Sequence, residues 1–388
     1  MCNCMMPYRY GEQRPLLFNL LAKEYEVREN RGEKAEALEE AAQLLLQEAS
    51  GSEAERLTAA VETLSGNRNT VVFDDAGLPS VMVRVPALRE KDVLARGGDA
   101  LHPAFSAGGE LLVGKYQSSL LEGYACSLPL RMPIFGLGFD EAVAYCRRKG
   151  SNWTLMPFSL RMAIALHCRR NGFLPHGNSR DGHSFLFPGE AGITEGGSLA
   201  LCGSGPVTWA HDGTANGIYD LNGNLNEWDA GLRLMDGEIQ LIPAEELFAP
   251  DADLGLNSPL WKAVLETGAL AAPGTPGTLK YDSPQSRVRL TRSLEHPGVG
   301  NSAFMEIAAQ PGLTPPLLMN LLGLYPEENR EGYELGWRWI STHGEALPLC
   351  GGAYRADDHA GVFFTGMTYP RTKNYELTGF RIVYRNGR

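Results

Sequence analysis

Residues 336–381 read GWRWISTHGEALPLCGGAYRADDHAGVFFTGMTYPRTKNYELTGFR, and the rest of the chain is best read outward from them. Short islands of glycine, apolar and arginine residues recur there: Gly336-Trp337-Arg338-Trp339, Gly351-Gly352, Ala360-Gly361-Val362-Phe363 and Gly379-Phe380-Arg381. Two intervening stretches, Ala353 to His359 and Phe364 to Thr378, mix Tyr, Phe, Arg, Asp, His, Thr and Gly without an apolar period. Such a mixture suits a contact face, where aromatic rings give rigid area and small polar groups adapt their hydrogen bonding. The islands are expected to form a scaffold. Val362, Phe363, Phe380 and Ile382 should be buried in it, with Trp337 and Trp339 in core strands, and the stretches should form its replaceable face.

With 388 residues, 43% of them hydrophobic, the chain can bury a large core. A net charge of −11 argues against nucleic acid or an anionic membrane as partner, since either needs a basic face. No apolar run approaches the ~20 residues that span a bilayer. Met1 to Pro7 lack the basic and apolar regions of a signal peptide, so export by the general secretory route is not expected. The seven cysteines (Cys2, Cys4, Cys126, Cys146, Cys168, Cys202 and Cys350) are odd in number and scattered, which reads as free thiols.

Residues 1–66 are expected to form a helical N-terminal element. Glu33 to Ser50 and Ser52 to Leu64 carry apolar residues at helical spacing, the second as Leu57, Val61 and Leu64. Two such helices make little core alone. They should pack on the main domain, on a sister subunit to give a homo-oligomer, or into a virion assembly. Residues 67–388 form the main domain. Val71 to Phe73 and Val81 to Val85 flank Asp74-Asp75-Ala76-Gly77, which predicts a β-hairpin, and Leu111 to Tyr116 predicts a further strand. Helices are predicted over Phe139 to Lys149 and Phe158 to Asn171, stopped by Gly150 and Gly172. The proline-rich stretch 249–283 reads as an inserted loop.

Four ordered segments carry a family likeness. They are Leu155 to Asn178, Pro206-Val207-Thr208-Trp209, Gly217 to Trp228 (Gly-Ile-Tyr-Asp-Leu-Asn-Gly-Asn-Leu-Asn-Glu-Trp), and the Gly-Gly…Gly-Phe-Arg ending. Together, over about residues 70–388, they resemble the formylglycine-generating-enzyme type of C-type lectin fold, an α+β, loop-rich architecture. The last segment more specifically resembles the variable proteins of diversity-generating retroelements. In that family an Ala-Gly-Val-Phe island lies between a Gly-Gly start and a Gly-Phe-Arg end, and varied residues fill the gaps.

The resemblance implies that a reverse transcriptase copies a template repeat and misincorporates opposite adenines, scattering AAY codons into NNY codons. Tyr354, Arg355, Ala356, Asp357, Asp358, His359, Thr365, Gly366, Thr368, Tyr369, Tyr375 and Leu377 are residues such codons reach; Met367, Lys373 and Glu376 are not. With Phe364 as a further anchor, the reachable residues are the expected ligand-binding set within segment 353–378. Its partner would be a protein or carbohydrate on a target surface, with no nucleic acid and no membrane insertion. The chain would be an adhesin of a phage tail, or made in the cytoplasm and held at a surface. A lectin-like structural protein without diversification shares the fold and stays open. Truncating Tyr369 or Tyr375 is expected to leave stability nearly unchanged.

Two chemical readings accompany this one. In formylglycine-generating enzymes, positions matching Asp220 and Glu227 supply side-chain oxygen, and those matching Gly223 and Leu225 supply carbonyls, to a structural calcium ion; oxygen ligands on such a turn suit calcium. The alternative is a turn held by asparagine side chains, with Trp228 in the core. The oxidase chemistry of that family uses paired cysteines near the C-terminus. Here Cys350 stands alone, so no enzyme activity and no required cofactor are expected. Asp357-Asp358-His359 point in different directions on an extended chain and read as contact residues, not as a catalytic group.

Overall fold

A computed structural model describes residues 52–386; the expected helix over Glu33 to Ser50 lies outside them. The fold is mixed α and β, mostly sheet, with long loops and few helices. Helix Glu53–Ser65 starts at Ser52, whose hydroxyl and the Glu55 carboxylate form a reciprocal cap, and stops at Gly66 in the left-handed conformation. Its stripe of Leu57 and Val61 packs with Val71, Val81, Tyr116 and Trp209. Position 66 is therefore the end of a helix that belongs to the domain's own core.

The predicted hairpin forms from strands Asn69–Phe73 and Pro79–Val85. Asp74 closes its turn by accepting from the Ala76 and Leu78 amides, and its second oxygen takes the Lys149 ammonium at 2.7 Å with both side chains buried. Strands Leu111–Gly114, Ile382–Tyr384 and Trp153–Leu155 complete a five-stranded sheet. Helices Phe139–Arg147 and Phe158–Arg170 lie where the periodicity puts them. The second is buried over most of its circumference, so it runs through the molecule, and Arg161 is carried inside with the apolar residues.

Thirteen strands make the larger sheet. At one end its order is Val299–Ala303, Trp337–Ser341, Thr365–Tyr369, Glu345–Cys350, Leu232–Met235, Glu238–Leu241. The stretch 249–283 is not all loop: strands Lys262–Val264, Leu270–Ala271 and Lys280–Asp282 belong to this sheet, and Trp261 is buried. The C-terminal segment joins the two sheets. Thr378–Phe380 pairs in parallel with Asn226–Trp228, and two residues later Ile382–Tyr384 enters the five-stranded sheet. No helix among the described residues is long and apolar enough to cross a membrane.

Candidate functional site

Arg381 sits where the chain passes between the sheets. Its guanidinium is fully buried and donates to Glu227 Oε1 (2.8 Å), Glu227 Oε2 (3.1 Å), the Gly114 carbonyl (2.9 Å) and the Tyr219 carbonyl (2.8 Å). Arg161, from the central helix, reaches the same Glu227 at 2.6 Å and makes a two-pronged contact with Asp229. Burial alone pushes the Glu227 carboxyl up, but Arg381 and Arg161 overcome it and hold the group below its ordinary value. This paired quartet ties helix, sheet and C-terminal segment together.

Other island residues complete the frame. Val362, Phe363, Phe380 and Ile382 are buried. Gly351 and Gly352 have φ of 88° and 82°, and a Cβ on Gly352 would lie 2.8 Å from Ala360, so the turn that starts the first stretch requires glycine. Arg371 pins the second stretch through Glu345 (2.7 Å) and Asp140 (3.0 Å).

Between these fixed points the expected ligand-binding residues mostly reach the surface. Arg355 and Asp358 are exposed; Tyr354, Ala356, Asp357, His359, Phe364, Thr368, Tyr369 and Tyr375 are half-exposed. The Tyr369 and Tyr375 rings lie 5.8 Å apart, with Lys373 over Tyr369 and Arg355 over Tyr354. Partial burial, then Tyr369 and Glu376, hold the Tyr375 phenol above its ordinary value. Arg355 and Tyr354 of the first stretch also act on the Tyr375 phenol, which brings the two stretches side by side there. A neighbouring loop that the sequence did not single out joins them: Arg180 pairs with Asp357 at 2.8 Å and lies over Phe185, and Asp181 faces Arg355 at 4.0 Å. The bond to Arg180 draws the Asp357 carboxyl below its ordinary value.

Three positions need correction. Thr365 and Leu377 are buried. Thr365 lies opposite Arg338 and Cys350 on the inner side of the sheet, so codon reachability does not make it a contact residue. Gly366 is covered too, but it pairs with Trp339 on the other side, and a Cβ there would meet only ordinary contacts of 3.7 Å or more. Its small size buries it, and the position can carry a side chain toward the face. Strand alternation changes after it: Leu349 pairs with Gly366 but Leu347 pairs with Tyr369, so Met367 and Thr368 together oppose Pro348. Proline offers no N–H, and the bulge opposite it turns Thr368 and Tyr369 both toward the surface. Tyr369 also packs against the core around Trp228 and Phe380.

Trp337 and Trp339 do not lie in the core either. They are half-exposed on the display side, while Arg338 between them is fully buried. Arg338 donates to the Gly323 carbonyl (2.6 Å) and lies over Phe304, which with Tyr333 and Phe363 forms an aromatic cluster under the strand. Once arginine takes the inner side, alternation puts both indoles outside.

Most of the oxygens expected to hold calcium in the Asp220 to Trp228 turn are already taken by protein donors. Both Glu227 oxygens are taken by guanidinium groups, and the Gln117 amide nitrogen donates to Glu227 Oε1 (3.1 Å), the Leu225 carbonyl (3.2 Å) and, at 3.5 Å, the Asp220 carbonyl. Asp220 Oδ2 accepts from the Gly203 amide at 2.8 Å. Protein N–H groups thus engage Asp220, Leu225 and Glu227, three of the four positions expected to hold calcium. Asparagines hold the turn instead: Asn224 bonds Asn178, Ala200 and Gln117, Asn222 bonds the Pro175 carbonyl, and Trp228 is buried. Elsewhere among the described residues, Asp282, Glu295 and His296 lie close together, with Arg289 between the two carboxylates at 2.9 and 3.4 Å. No protein-family model and no curated protein matches the chain.

Proposed function

We propose that this chain is a ligand-binding protein of the diversity-generating-retroelement type, built on the formylglycine-generating-enzyme kind of C-type lectin fold. Its job is adhesion, as part of a phage tail or of a cell surface. Segment 353–378 and its neighbours meet the target; the islands and the buried quartet keep the backbone fixed while those side chains vary. The observation that carries this is the burial pattern. Gly351, Gly352, Val362, Phe363, Phe380 and Arg381 are buried, whereas Tyr354, Arg355, Asp357, Asp358, His359, Tyr369 and Tyr375 between them are exposed or half-exposed, with Tyr369 beside Tyr375 and with Arg355 and Tyr354 near enough to act on the Tyr375 phenol. Aromatic and arginine side chains of this sort dominate binding energy where they are desolvated by a partner.

A non-catalytic role suits the site. Cys350 is buried beside Asp229, its thiol pushed well above its ordinary value by that burial, and it lacks the second thiol that the oxidase chemistry uses. The direct test is genomic. The reading expects a reverse transcriptase gene and an adenine-rich near-copy of codons 353–378 close by, with sibling chains differing at the exposed positions and not at Thr365, Met367 or Leu377. Siblings that differ evenly across buried and exposed positions would overturn it.

A further inference from the structure

The geometry points to a fixed cation-accepting strip, Trp337 and Trp339, which the residue at position 359 covers or opens; the inference rests on the display reading above. The two indoles lie two residues apart on one strand, face outward and belong to the framework. His359, one of the display residues, stands steeply tilted to both, its ring centre 4.5 Å from that of Trp337 and 6.1 Å from that of Trp339. The indole N–H of Trp339 is covered and has no acceptor. Asp358, beside His359, is exposed. Indole faces attract cations more strongly than other rings do, and an adjacent carboxylate adds charge complementarity.

The matching occupant is a guanidinium or ammonium side chain on the surface of a protein partner. In this chain the His359 ring stands at that place. A small residue at 359 leaves the strip open to a lysine or arginine of the target, and a large one closes it. One substitution thus switches an anchor on or off without touching the frame.

The test uses the full chain and intrinsic fluorescence, because Trp153, Trp209, Trp228 and Trp261 are buried and only the strip meets an added ligand. His359→Ala is titrated with N-acetyl-arginine amide and with the uncharged N-acetyl-citrulline amide. The expected result is saturable quenching with about five- to tenfold preference for the arginine compound, the range one cation–π contact supports. Wild type should bind it more weakly, and the preference should fall in His359→Ala/Trp337→Leu, which keeps apolar bulk but removes the ring that lies closer to position 359. A second opened variant, His359→Ser, with an unchanged melting temperature guards against misfolding. Equal quenching by both compounds, or none in two folded opened variants, overturns the strip. The sibling-sequence pattern is independent of this outcome, so failure here leaves the display reading standing, and a failed sibling pattern leaves the strip testable on its own.

Discussion

Replacing Arg381 by Met tests the frame where the two sheets meet. The substitution keeps the apolar stem and deletes a guanidinium that is fully buried and makes four hydrogen bonds. Glu227 would retain Arg161 and Gln117, so its charge is not left bare, but the Gly114 and Tyr219 carbonyls lose their Arg381 donors. Each buried carbonyl that loses a donor costs up to about 1–3 kcal/mol. Breaking one side of a buried ion pair costs about 3–5 kcal/mol where it strands a bare charge, and less here because Arg161 stays on Glu227, so the carbonyls carry much of the loss. A loss of about 3–5 kcal/mol is therefore expected, read as a lower urea midpoint at unchanged slope.

The acid limb should respond as well. The folded Glu227 carboxyl lies below its ordinary value of 4.5, so its contribution is complete above that value and is lost as pH falls through the lower folded one. Removing Arg381 weakens the pull on Glu227, so the variant's stability should fall less steeply over that acidic range. A loss under about 1 kcal/mol, with an unaltered acid limb, would refute the view that Arg381 pins the segment.

Phe380→Ala should cost about 3–5 kcal/mol in the same urea assay, as a ring wholly inside the core. Tyr375→Ala should cost less than about 1 kcal/mol, and Tyr369→Ala should fall between them because that ring partly packs on the core. Gly366→Ala should stay within about 0.5 kcal/mol. Gly361→Ala places a Cβ 2.8 Å from the Leu335 backbone and should cost about 1–3 kcal/mol; similar melting curves for the two glycine variants would contradict the assignment of faces. Adding calcium, or removing it with a chelator, should leave the melting temperature unchanged. A rise with calcium would show that the Gln117 amide yields its place at the Asp220 turn.

Much of the local structure was legible because it follows from period and punctuation. The hairpin around Asp74, the helix begun after Pro157 and the stripe Leu57, Val61, Leu64 need only alternation, helical spacing and a stop signal. What was missed depends on contacts between distant residues. Nothing in Trp337-Arg338-Trp339 reveals that the arginine turns inward onto Phe304 and the Gly323 carbonyl. The Arg161–Glu227–Arg381 pairing spans 154 residues of chain between its acid and Arg381 alone, so the same Glu227 could be read as a calcium ligand until its partners were seen. Prolines hid the short strands within 249–283. Codon reachability says which residues a position can adopt but not which way it faces, and the bulge opposite Pro348 shifts that direction partway through the second stretch.

The central claim, that the frame holds its shape whatever the face displays, is best tested by a randomised library. Positions 354, 355, 357, 358, 359, 364, 366, 368 and 375 are varied together and the clones sorted for protease resistance. The account predicts that most clones fold, with melting temperatures near the parent's, while a matched library at Thr365, Met367, Leu377 and Phe380 mostly fails. Comparable survival in the two libraries, or general collapse of the first, would contradict it.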